Sequence, residues 1–85
     1  MLSASEAAKQ AVRHVTDMTG RDAEGVVGIE RTGDGWQVTV EIVETHRIPD
    51  SADILAIYET QVDDEGELVA YRRASRYARG RVERS

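Results

Sequence analysis

The sequence predicts an α+β domain in which one N-terminal helix packs on a four-stranded antiparallel meander sheet. Three observations carry this. Apolar residues recur at helical spacing over residues 4–19, two glycine-containing turns each separate runs of strand character, and a lone proline divides the two hairpins so implied. The 85 residues leave room for one core. A chain of this size buries about 60–65% of its unfolded surface, so its stability is expected on the order of 4–13 kcal/mol.

The helix has a start and a stop. Ser3, followed by Glu6 three residues on, matches a capping box, and Gly20 suits the left-handed residue that ends a helix. Ala8, Ala11, Val12, Val15 and Met18 fall on one face, which is read as core, while Lys9, Arg13 and Asp17 lie off it.

A first hairpin follows, with Val26–Thr32 and Trp36–Thr45 flanking Gly33-Asp34-Gly35, residues that tolerate positive φ. Side-chain parity selects a two-residue loop. It sets Thr32 against Gly35, Ile29 against Val38, Val27 against Val40 and Gly25 against Ile42, whereas a three-residue loop would put Glu30 against Val38. Trp36, Val38, Val40 and Ile42 then face the helix, and Gln37, Thr39 and Glu41 face away.

Ile48-Pro49 breaks regular pairing, because proline lacks an N–H and pushes its predecessor towards an extended conformation. A second hairpin runs from Ile54–Val62 to Glu67–Ala78 around Asp63-Asp64-Glu65-Gly66. Gly66 suits a type I turn closed by a glycine bulge, pairing Val62 with Leu68. Ile54, Ala56, Val62, Leu68, Ala70 and Ala74 are expected on one face, and Leu55, Ile57, Val69, Tyr71 and Tyr77 on the other. One helix covers only one face. The second, rimmed by Glu59 and Arg73, is therefore a candidate docking surface. The domain is expected over residues 1–79, with 80–85 a disordered tail.

The net charge of −5 is unevenly placed. From Leu68 onward there are six arginines and one acid, net +5, and residues 1–67 carry net −10. Such asymmetry suggests an interaction with an acidic partner or a nucleic acid, or charge satisfaction within the domain. Arg72, Arg73, Arg76, Arg79 and Arg81 are interleaved with Tyr71 and Tyr77, a pattern suited to single-stranded nucleic acid, but the overall acidity opposes a polyanion.

Nothing in the chain reads as catalytic. His14 and His46 stand 32 positions apart with no nucleophile pattern and no metal-ligand spacing near them. Asp63-Asp64-Glu65 lacks the alternating ligands of a calcium loop, and the glycine pairs precede strands, where a phosphate loop would precede a helix. There is no cysteine, which fits a reducing compartment, no signal-peptide pattern and no apolar run of membrane length. The expectation is a cytoplasmic chain without cofactor, metal, membrane or small-molecule substrate.

Ordered segments across almost the whole chain resemble the gas vesicle protein O family. They are the alanine-rich helix, Thr19-Gly20-Arg21, Gly35-Trp36-Gln37-Val38, Glu41-Ile42-Val43-Glu44 and Arg47-Ile48-Pro49. Then come Asp53-Ile54-Leu55-Ala56-Ile57-Tyr58-Glu59, Gly66-Glu67-Leu68, Tyr71-Arg72-Arg73 and Arg76-Tyr77-Ala78-Arg79-Gly80. The resemblance implies a non-enzymatic accessory in gas vesicle formation, associated with the vesicles and binding other gas vesicle proteins. Residues Leu55, Ile57, Glu59, Val69, Tyr71, Arg73, Arg76, Tyr77 and Arg79 are expected to carry that contact. Nucleic-acid binding through the same arginines, regulating gas vesicle genes, is the alternative, and a homodimer stays open.

Overall fold

Helix α1 spans Ala4–Thr19, with both ends closed as the sequence predicts. Ser3 Oγ accepts the Glu6 N–H at 3.2 Å, and Gly20, at φ 69°, donates its N–H to the Thr16 carbonyl at 2.8 Å. The computed structural model describes residues 2–45 and 54–78. The Pro49 break, His46, Arg79 and the expected tail therefore lie outside the described residues.

The face of α1 that meets the sheet is Ala7, Ala11 and Val15, all fully buried, with Ala8 and Val12 partly buried beside them. Small side chains at four-residue intervals let the helix axis come close to the strands. Met18 shares that face by spacing but is 58% exposed, because the buried stripe stops at Val15. A straight helix on a twisted sheet keeps contact over a limited length.

Four strands follow, β1 (Ala23–Arg31), β2 (Gly35–Thr45), β3 (Ile54–Asp63) and β4 (Leu68–Ala78), hydrogen-bonded in that order as one antiparallel meander. The core lies between α1 and the two central strands, where Val38, Val40, Ile42 and Val62 are at most 2% exposed. Trp36 packs at its margin under the guanidinium of Arg31, 5.2 Å from the ring centroid.

The first hairpin has the two-residue loop Gly33-Asp34, with the Thr32 N–H bonded to the Gly35 carbonyl at 2.9 Å and Ile29 opposite Val38. Gly35 approaches β3 so closely that a Cβ would stand 2.0 Å from the Val62 carbonyl oxygen. The loop does so without positive φ, which occurs among the described residues only at Gly20 and Gly66. Further along, Val40 pairs with Val26, not Val27, and Ile42 with Ala23, not Gly25. Two bulges, at Glu24 and Val27, each insert one extra residue into β1, and such an insertion resets every cross-strand register beyond it.

The second hairpin closes as expected. Gly66, at φ 85°, donates to the Asp63 carbonyl at 3.0 Å, and Val62 pairs with Leu68. Its tip tucks under α1, where His14 Nε2 lies 2.8 Å from the Gly66 carbonyl oxygen. Any Cβ on Gly66 would also press within 3.0 Å of Gln10 and 3.1 Å of Leu2. Arg31 and Asp64, 2.9 Å apart, tie the two hairpin tips together.

Candidate interaction surface

Strand β4 is an edge of the sheet and carries Arg72, Arg73 and Arg76 without an acidic residue. Two bulges govern where these side chains go. Val62 pairs with Leu68 but Gln61 pairs with Ala70, so Val69 is an inserted residue. Tyr58 pairs with Arg73 but Ile57 pairs with Ser75, so Ala74 is another. Directly paired residues on neighbouring strands share a face, and one inserted residue exchanges the faces beyond it. Between the bulges, then, the expected faces are exchanged. Tyr71 lies on the helix side, opposite Thr60 and stacked on Tyr58 with ring centroids 5.9 Å apart, while Ala70 lies on the outer side opposite Gln61.

The second bulge has a chemical result. Residues three apart in a regular strand point to opposite faces. With Ala74 inserted between them, Arg73 and Arg76 share the helix side and converge on one carboxylate, that of Glu44. Arg73 Nη1 donates to Oε2 at 2.8 Å. Arg76 Nε stands 3.0 Å from Oε1 in an ion pair without hydrogen-bond alignment. Glu44 is itself the inserted residue of a bulge in β2, between Val43 opposite Leu55 and Thr45 opposite Ile54. Its backbone carbonyl accepts a hydrogen bond from Arg21, just past the end of α1. Three guanidiniums thus gather on one residue. The Glu44 side chain is 12% exposed, whereas those of Arg73 and Arg76 are 47% and 55% exposed.

Arg72 points to the outer face and pairs with its cross-strand neighbour Glu59 at 2.8 Å. Together with Gln37, Gln61 and Ala70 they line a shallow groove of about 260 Å³. The middle of the outer face is therefore polar, and the expected apolar docking face is not assembled there. Leu55, opposite Val43, is only 3% exposed and offers no surface, Ile57 is half-buried, and Val69 is 60% exposed at the first bulge. Tyr77 pairs with Leu55 in backbone register. Of the residues singled out from sequence, the structure brings together Arg73 and Arg76 on one side and Ile57 and Glu59 on the other. Glu44 and Arg21 were not singled out. The available signal was parity, since Glu44 follows Val38, Val40 and Ile42 at the same inward spacing, where a carboxylate needs cationic partners.

The family model described as "Gas vesicle synthesis protein GvpO" matches residues 1–83. The chain belongs to the gas vesicle protein O family. Its role is accordingly connected with gas vesicles. It is 48% identical over 75 residues to gas vesicle protein O of Streptomyces sp. (strain CB03234), covering 88% of this chain and 59% of that protein. It is 34% identical over 76 residues to gas vesicle protein O1 of Halobacterium salinarum, covering 89% and 64% respectively. Gas vesicle protein O of Haloferax mediterranei is 38% identical over 78 residues, covering 91% and 51%. The chain thus spans roughly half to two thirds of the length of these GvpO relatives. No solved structure matches it.

Proposed function

We propose that this GvpO chain is a non-enzymatic accessory of gas vesicle formation that acts in the cytoplasm by docking on other gas vesicle proteins. The observation that carries the reading is β4, an edge strand whose arginines are ordered by carboxylates and yet stand half-exposed or more at the rim of the sheet. Preorganised, partly exposed guanidiniums favour recognition because little side-chain freedom remains to be lost on binding. The one described histidine is engaged with the Gly66 carbonyl, a contact that anchors a hairpin and prepares no nucleophile.

Co-purification of the full chain with each of the other gas vesicle proteins tests the reading. The expected result is capture of at least one of them by the wild-type chain. Failure to capture any, by a folded protein, overturns it. Nucleic-acid binding is measured beside it across a salt series, where phosphate contacts give affinity that falls steeply with salt.

A further inference from the structure

The geometry points to the Arg21–Arg73–Arg76 group around Glu44 as a receptor for an acidic segment of a partner protein, with Glu44 as an internal occupant that holds the guanidiniums in place. The inference rests on the docking role proposed above and names the chemistry of what docks. The charge count is the first argument. Among the described residues, one carboxylate serves two guanidiniums and a third is held by the same residue's carbonyl, so cations outnumber carboxylates in this cluster. Exposure is the second, because Glu44 sits inside while Arg73 and Arg76 open outward. Geometry is the third. Arg76 Nε meets Oε1 without hydrogen-bond alignment, so the Arg76 guanidinium spends no aligned N–H donor on Glu44 and can offer its donors to an incoming carboxylate.

A carboxylate-bearing segment fits better than a nucleic acid. These guanidiniums are already arranged on carboxylates, and the neighbouring Arg72 is matched by Glu59. The aromatic residue that precedes the β4 arginines, Tyr71, is stacked on Tyr58, so one face of its ring is already taken as a platform for a base. The chain as a whole carries net charge −5, which repels a long polyanion more than a short segment with a few acids.

The test uses the full chain and a fluorescent peptide of alternating glutamate and serine, its glutamine counterpart, and a single-stranded oligonucleotide of matched charge. Anisotropy at low salt is expected to show binding of the glutamate peptide only, weakening as salt rises. The double variant Arg73→Gln/Arg76→Gln should lose about tenfold or more in affinity, as two charge-assisted contacts go. Glu44→Gln keeps the shape but removes the competing charge, and should bind the glutamate peptide about threefold more tightly, within the range of a partly exposed ion pair. Its circular dichroism spectrum and melting confirm that it is folded.

Absence of glutamate-peptide binding by the folded wild-type chain overturns the inference, as does unchanged affinity in both variants. Oligonucleotide binding through the same arginines at equal salt overturns it in favour of nucleic acid. If Arg73→Gln/Arg76→Gln still co-purifies with the wild-type chain's gas vesicle partner, the receptor fails while the docking role stands. If no gas vesicle protein is captured but the peptide binds, the docking role fails and the acidic-ligand site remains.

Discussion

Arg73 on β4 reaches across β3 to Glu44 on β2, joining two strands that do not pair with each other. Between β2 and Arg76, β3 presents Ala56, fully buried and in register with Ile42 on one side and Arg76 on the other. A small residue in the middle strand keeps the path between the outer two low. Ala56→Leu is expected to destabilise the fold by about 1–3 kcal/mol through overpacking. Urea unfolding measures it, and a variant as stable as wild type would refute the tight packing described.

Glu44→Ala is expected to cost about 1 kcal/mol, the modest value suited to a pair whose cations are half solvated. The loss should shrink when unfolding is repeated at high salt, because screening already weakens the wild-type pair. A cost that does not change with salt would mean that Glu44 acts through packing.

Gly35→Ala places a methyl group 2.0 Å from the Val62 carbonyl oxygen and 2.7 Å from the Asp63 Cα. Both obstacles are backbone, so the strands must part. The expected loss is about 2 kcal/mol or more, at the severe end for one added carbon. Thermal melting of the purified variant reads it directly.

Thr60 is fully buried and its hydroxyl has no hydrogen-bond partner. Thr60→Val keeps the shape and removes the stranded polar group. It is expected to stabilise the protein by roughly 1 kcal/mol, since burying an unpaired hydroxyl is unfavourable. A destabilised variant would indicate that the hydroxyl is satisfied in solution.

On the helix, Ala11→Leu and Met18→Gln should part company. Ala11 is fully buried against the sheet and has no room, so about 1–3 kcal/mol is lost. Met18 is 58% exposed, and its replacement should fall within about 0.5 kcal/mol of wild type. Paired urea titrations decide whether the buried stripe ends at Val15.

What the sequence disclosed followed how local each signal is. The helix bounds rest on Ser3, Glu6 and Gly20, and both turns on residues within four positions of each other, so these could be read directly. The faces of β4 could not. They depend on Val69 and Ala74 being inserted residues, and neither has the glycine or asparagine signature that marks a bulge in advance. One inserted residue exchanges a whole face, and with both faces of this hairpin partly apolar, counting along the strand sets Tyr71 on the side opposite to the one it occupies. The candidate site was half visible. The arginines stood out by composition, but their convergence on Glu44 is tertiary, made by bulges on two strands that are not neighbours in the sheet.

Those inserted residues also decide how the molecule behaves among copies of itself. Both outermost strands are interrupted, β1 at Glu24 and Val27 and β4 at Val69 and Ala74. The longest uninterrupted ladder on β4 is therefore a few residues, too short and too twisted for a second sheet to continue it. The sheet ends are stops against open-ended strand addition. A protein built this way can be concentrated without becoming a seed for fibres of its own.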